Sequence, residues 1–242
     1  MEQHVKQTLA YEQNEERPGQ RKKFIRDLFD DIVPTYDLLN RVLSCGIDRG
    51  WRKSLVKMGG DLRGRSVLDL CCGTGDQSRA LRRAGATTVS LDFSLNMLKK
   101  GRERGWLNHL SVAADASELP FKNNSFDLMT VAFGIRNIPD LDRFISEARR
   151  VLVPGGRLLV LELTRPVNRP AAFFYRIYLE RLIPFVGGII SGKGFAYRYL
   201  SGTISSFPGP EGLSEMFLSQ GWSDVSIHRK TMGVATILEC SR

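Results

Sequence analysis

The sequence predicts an α/β fold, a doubly wound and mostly parallel seven-stranded sheet, and three observations lead there. The run Val67-Leu68-Asp69-Leu70-Cys71-Cys72-Gly73-Thr74-Gly75-Asp76 is an apolar strand that breaks into a glycine turn and then starts a helix. From Ser66 onward, apolar runs alternate with amphipathic stretches, as βαβ units require. Those runs are continuously apolar, which suits parallel strands covered on both faces.

Residues 1 to about 22 are polar, rich in Glu, Gln and Lys, and carry Pro18 and Gly19 as breakers, so a flexible leader is expected. Residues 23–242 then form a single domain. Phe24, Ile25, Leu28, Phe29 and Ile32 make one apolar stripe, a helix that Pro34 stops. A second amphipathic stretch around Trp51, Leu55 and Met58 completes a helical cap over 23–63, able to cover the ligand edge of the sheet. Strands are expected near 66–70, 88–92, 110–114, 126–133 and 157–163, with helices near 76–84, 94–104 and 140–152. Ser94 offers an N-cap, and Pro154-Gly155-Gly156 a sharp turn into the fifth strand. Residues 165–209 break the alternation with an aromatic, basic stretch, a helical insert before the last two strands. A helix at 211–219 and runs at 223–230 and 233–240 close the chain, the last two pairing as an antiparallel hairpin across Met232-Gly233. In such a sheet the ligand sits at the carboxyl ends of the strands.

The totals narrow the class. Hydrophobic content of 42% with 25% charge is ordinary for a soluble protein, and the most apolar segment, Phe173 to Ile190, is interrupted by Arg176, Glu180, Arg181 and Pro184. It does not span a bilayer. A net charge of +9 suits either nucleic acid or an anionic lipid surface, but the basic residues are dispersed and no recognition motif for nucleic acid appears. Four cysteines at 45, 71, 72 and 240 and three histidines at 4, 109 and 228 make no metal-ligand spacing. The polar N-terminus lacks a signal core, so a reducing cytoplasmic setting is expected, with no metal.

The glycine turn points to a nucleoside-bearing ligand. Gly73 and Gly75 permit positive φ and close approach to the main chain. Asp92 ends the next apolar run, 17 residues after Gly75, where a carboxylate can take both ribose hydroxyls. A dinucleotide site would want a third glycine where Ser78 stands, and Asp76 puts negative charge where a diphosphate would lie. S-adenosylmethionine, with a sulfonium, an ammonium and no phosphate, fits better. Asp76 is equally read as an ordinary carboxylate of a helix's first turn.

With Ala114-Asp115-Ala116 and Pro154-Gly155-Gly156 added, the chain resembles the class I S-adenosylmethionine-dependent methyltransferases, whose Rossmann-like sheet is the one expected here. Tyr36-Asp37-Leu38-Leu39-Asn40 with Ser44, Gly46 and Trp51 narrows the match. So do Phe133-Gly134-Ile135-Arg136-Asn137, Arg150 to Gly156 leading to Glu162-Leu163-Thr164, and Tyr197-Arg198-Tyr199-Leu200. These resemble the ubiquinone/menaquinone biosynthesis C-methyltransferases over roughly residues 24–240. The chain departs from that pattern at Leu39, Asp48, Cys71, Cys72, Ala132 and Val153, of which Asp48 and Ala132 are expected nearer the ligand.

The resemblance implies C-methylation of a prenylated hydroquinone, with demethylmenaquinol or a benzoquinol as acceptor. A soluble small-molecule acceptor is the alternative. Asp69, Gly73, Thr74, Gly75, Asp92, Asp115 and Ala116 are then expected to bind S-adenosylmethionine. Thr74 can offer donors to the methionine carboxylate or bond its own turn, and Asp115 can accept from the adenine amino group or cap the following turn. Tyr36 and Tyr199 are expected at the quinol. Arg136 is the candidate for stabilising the phenolate that makes a ring carbon nucleophilic, with Asn137 orienting the ring. The structural alternative is a loop contact or a pair with Asp140. Tyr36, Asp37, Tyr199, His228 and solvent all stand as proton acceptors. Phe173, Phe174, Tyr175, Ile177, Tyr178, Leu182, Ile183 and Phe185 form either core or the wall for a prenyl tail. Transient membrane contact and a homodimer fit this picture, and nucleic acid does not.

Overall fold

The structure is a computed structural model, and it describes residues 18–33, 44, 46–182, 202–204 and 207–242. Helices α1 (Pro18–Ile32) and α2 (Asp48–Met58) precede the sheet. Then β1 (Ser66–Leu70), α3 (Asp76–Arg83), β2 (Thr87–Asp92), α4 (Leu95–Glu103), β3 (Ser111–Ala113), β4 (Phe126–Ala132), α5 (Leu141–Val151) and β5 (Leu152–Leu163) follow in alternation. Helix α6 (Arg169–Ile177), a π-turn at Tyr178–Leu182, α7 (Pro210–Ser219), β6 (Asp224–Lys230) and β7 (Ala235–Ser241) complete the chain.

The strand order is β3-β2-β1-β4-β5-β7-β6. Strands β1 to β5 run parallel with their neighbours, and β7 is antiparallel to both β5 and β6. From β1 the chain winds outward to β2 and β3, then crosses back to β4, so the order reverses between β1 and β4. A crevice opens at their carboxyl ends.

Successive β1 residues face opposite ways and are buried on both sides. Val67 packs with Trp51, Leu55 and Leu81 under α2 and α3, whereas Leu68 and Leu70 join Met129, Phe144 and Phe217 under α5 and α7. Burying a side chain such as Phe144 contributes roughly 1.5–3 kcal/mol. Capping follows the sequence: Ser94 Oγ accepts from the Met97 N–H at 3.1 Å and Asp140 Oδ1 from the Arg143 N–H at 2.9 Å.

Two local expectations are corrected. Helix α1 begins at Pro18 rather than at Phe24, so Pro18 to Lys22 are helical and not part of a loose leader. Proline is favourable in a first turn, where its missing N–H needs no partner. The turn expected at Pro154-Gly155-Gly156 is instead a bulge inside β5. Pairing passes from Phe126↔Leu152 to Leu128↔Arg157 there, and Gly155 has φ +76.

Strands β1 and β4 end in strained backbone, since Cys71 and Phe133 both hold positive φ, +51 and +64. Between them Gly134 is obligatory: a Cβ there would lie 2.3 Å from Cys71 Cβ. Gly134→Ala is expected to lower the unfolding free energy by roughly 1–3 kcal/mol in urea titration. Unchanged stability would show that the two strand ends can move apart freely.

Candidate active site

The crevice encloses about 690 Å³, part of it open to solvent. Gly73 from the turn, Asp92 from β2, Asp115 and Ala116 after β3, and Gly134 and Asn137 after β4 line it. The glycine turn is forced by contact as well as by φ. Gly75 has φ +94, and a Cβ there would meet Leu107 Cδ2 at 2.5 Å.

Asp92 is 6% exposed, and both its oxygens accept backbone N–H groups, Oδ2 from Gly73 at 2.8 Å and Oδ1 from Ser94 at 2.9 Å. Burial pushes its carboxyl up to about 6, against the pull of those two bonds. Lone pairs remain on each oxygen for a diol. Asp115 lies across the crevice, where Oδ1 takes the Ser117 N–H at 2.8 Å and Oδ2 meets Lys22 Nζ of α1 at 2.5 Å. Partial burial would raise it, but Lys22 and Ser117 outweigh that and hold the carboxyl below its usual range.

Helix α1 thus lies over the crevice, which Lys22, Ile25 and Phe29 help to line. Phe29 meets Phe93 edge-on at 6.5 Å, and Ser94 Oγ donates to Asp30. The Lys22–Asp115 contact was not legible beforehand, because a lysine in a polar stretch carries no pattern.

Asp69 sits beneath the turn with no exposure. Ser78 Oγ donates to its Oδ2 at 2.5 Å and Thr130 Oγ1 to its Oδ1 at 2.7 Å. Burial raises its carboxyl to about 6 despite these bonds. It braces α3 and β4 against β1, and it also lines a small recess with Arg52, Thr74, Asp76, Gln77 and Ala132. Gln77 in that recess is 1% exposed, and among the described residues neither atom of its amide has a partner. Asp48 accepts from Ser44 Oγ at 2.8 Å and lies 3.7 Å from Arg52, and it lines neither the recess nor the crevice.

Arg136 and Asn137 stand in the 3₁₀ turn that follows β4. Asn137 lines the crevice, while Arg136 is 8% exposed and its Nη1 donates to Glu162 at the end of β5. The pair with Asp140 does not form, since that carboxylate caps α5. Burial raises the Glu162 carboxyl, against the attraction of Arg136. Glu162 stood in the motif Glu162-Leu163-Thr164 without a role, and an acid inside an apolar strand demands a buried partner.

Tyr36, Asp37 and Tyr199 lie outside the described residues, as do Ile183 and Phe185. His228 is on the edge strand β6, partly exposed, with Nε2 3.4 Å from Glu239, and does not line the crevice. The aromatic stripe of α6 is not all core: Phe173 and Ile177 are exposed, and Tyr175 stacks on Tyr178 at 6.2 Å. Cys71 lines the crevice, but burial and the surrounding carboxylates push its thiol well up, so it is a neutral wall and not a nucleophile.

The family model of the ubiE/COQ5 methyltransferase family matches residues 14–241. The chain belongs to that family. It is a methyltransferase, 43% identical over 215 residues to the demethylmenaquinone methyltransferase of Thermus thermophilus, covering 87% of this chain and 97% of that one. It is 39% identical over 221 residues to the ubiquinone/menaquinone biosynthesis C-methyltransferase UbiE of Geobacter sulfurreducens, covering 88% and 86%. Among solved structures, a SAM-dependent methyltransferase from Thermotoga maritima superposes with TM-score 0.62 at 18% identity, covering 89% of this chain and 98% of that one. That likeness establishes the same fold for the methyltransferase described here.

The raised carboxyl of Asp69 gives a pH test. Its folded pKa of about 6 lies above the ordinary 3.8, so the folded chain holds the extra proton. Stability from the neutral form is full below about pH 4 and lost as pH rises through about 6. Asp69→Asn is neutral throughout, so between pH 4.5 and 7 the stability difference should shift in the variant's favour by about 2 kcal/mol in urea titrations. A difference independent of pH would mean that Asp69 stays ionised.

Proposed function

We propose that this methyltransferase moves a methyl group from S-adenosylmethionine to a ring carbon of a prenylated hydroquinone, demethylmenaquinol or the related benzoquinol. The observation that carries the reading is Asp92, fixed between the Gly73 and Ser94 N–H groups at the mouth of a phosphate-averse glycine turn. The names of the 39–43% identical relatives supply the acceptor class.

The residues fit such a donor part by part. Asp92 would take the ribose hydroxyls, and Asp115 with Ala116 would hold the adenine once Lys22 shares the carboxylate. Thr74, Asp69 and the unpartnered Gln77 amide would receive the amino-acid end beside Asp76. When bound, the donor supplies an electrophilic methyl on a positively charged sulfur. The chain's own part is to hold a ring carbon in line with that methyl, and alignment of this kind contributes up to roughly 7–11 kcal/mol. It must also favour ionisation of a ring hydroxyl, and here Arg136 brings a fixed positive charge and Asn137 a side chain facing the crevice.

A prenylated acceptor is favoured over a soluble one by α6. Phe173 and Ile177 are exposed there among Arg169 and Arg176, an apolar and basic surface suited to transient contact with lipid headgroups. Among the described residues no helix is long and apolar enough to cross a membrane. Cytoplasmic placement with peripheral contact belongs to the same proposal.

Asp92→Ala should weaken S-adenosylmethionine binding by about 30-fold or more in calorimetry, since a charged hydrogen bond contributes roughly 1.5–3 kcal/mol. Near-normal affinity would remove Asp92 from the donor site. In a labelled-methyl assay, prenylated hydroquinone should be turned over at least tenfold faster than its unprenylated ring. Equal rates would favour the soluble acceptor.

A further inference from the structure

Strand β5 carries one acid in its apolar second half, Glu162, 1% exposed between Leu161 and Leu163. Donors from Arg136 Nη1 and from the Leu163 N–H, at 2.8 Å, both fall on Oε1. Among the described residues Oε2 has no hydrogen-bond partner. Arg136 Nε, Asn137 Oδ1 and Tyr175 Oη are also buried without partners among the described residues.

Those four atoms come from β5, from the turn after β4 and from α6. Tyr175 lies close enough to Arg136 and Glu162 for both charges to act on its hydroxyl. The charge of Glu162 reaches Cys71 as well, and Cys71 lines the crevice. Each unpartnered buried group costs about 1–3 kcal/mol, and folded proteins leave few of them. Three of these, on Glu162, Arg136 and Tyr175, lie within electrostatic reach of one another, and Asn137, next in the chain to Arg136, lines the crevice, which marks a place for the polar group of a ligand.

Comparison with the other carboxylates of the site singles out Glu162. Asp69 gives one oxygen to each of two hydroxyls, Asp92 one to each of two N–H groups, and Asp115 is divided between Lys22 and Ser117. Among the described residues, Glu162 is the buried carboxylate that keeps one oxygen without a partner. Burial raises its affinity for a proton, in the direction a general base near neutral pH needs.

We propose that Glu162 is the general base of the methyl transfer, receiving a hydroxyl proton of the quinol on Oε2 while Arg136 holds the carboxylate through Oε1. This rests on the hydroquinone reading above. As the O–H bond breaks, its proton goes to Oε2 and its electrons move through the ring. The ring carbon then forms its bond to the methyl carbon, and the sulfur–methyl bond breaks with its pair left on sulfur. The dienone so formed loses its ring C–H proton to water and becomes a phenolate, which takes back the proton from Glu162. Arg136 is charged throughout, so it balances the carboxylate before the transfer and the oxyanion after it. Tyr175 Oη and Asn137 Oδ1 are placed to hydrogen-bond the acceptor's oxygens.

The test compares wild type with Glu162→Gln, under reductant, on two acceptors: a prenylated hydroquinone and a ring-halogenated analogue whose hydroxyl is already ionised at the assay pH. The variant should bind S-adenosylmethionine within about threefold of wild type by calorimetry. It should lose about 10²–10⁴-fold in kcat on the first acceptor and less than about tenfold on the second. Equal losses on both acceptors, or a loss below about threefold on the first, would overturn the assignment. If the single variant fails to fold because Arg136 is left unpaired, Arg136→Gln with Glu162→Gln removes both charges and is read by the same ratio of losses. A wild type that binds the donor yet methylates neither acceptor would overturn the hydroquinone reading and this assignment with it. An active wild type with an equally active variant overturns the assignment alone.

Discussion

One carboxylate ties the site together. Asp92 ends β2, and by accepting from the Gly73 N–H and the Ser94 N–H it fixes the glycine turn of β1 against the start of α4. The Cys72 N–H, donating to the Leu91 carbonyl at 3.0 Å, ties the same turn to the end of β2 through the backbone. Asp92 is held against its own preference, because burial favours the protonated form while two N–H dipoles favour the charged one. A ligand that offers two further donors to the same oxygens strengthens the arrangement instead of competing with it.

The rest of the floor repeats this balance of charge and burial. Asp69 stands under the turn on hydroxyls from α3 and β4, and Glu162 stands at the end of β5 on Arg136. Each ties its own strand to neighbouring elements on the way to the carboxyl end of the sheet. Ionised groups in such positions are costly unless paired, and where one oxygen is left over, the cost points to chemistry and not to packing. The strained φ at Cys71 and Phe133 belongs to the same place, where β1 and β4 diverge and Gly134 lets them pass.

Much of this was legible in the sequence. The strand and helix order followed from apolar runs and their spacing, and the hairpin across Met232-Gly233 formed as the turn residues indicate. Gly73, Asp92 and Asp115 were marked by their places at strand ends, and all three meet in the crevice. The bulge at Pro154-Gly155-Gly156 was missed because proline and glycine signal a turn whether or not the chain continues in the same strand. The start of α1 was missed because Pro18 and Gly19 serve a helix start as readily as a break. Contacts such as Lys22 with Asp115, or Tyr175 beside Arg136 and Glu162, join residues far apart in the chain and carry no local pattern.

In the proposed reaction the methyl group goes to carbon. Incubating the protein with S-adenosylmethionine labelled with carbon-13 at the methyl group and with reduced prenylated hydroquinone, then reading the product by carbon NMR, tests it directly. A labelled aryl-methyl signal on the quinol ring is expected. A labelled methoxy signal, or label on no quinol at all, would contradict that reaction.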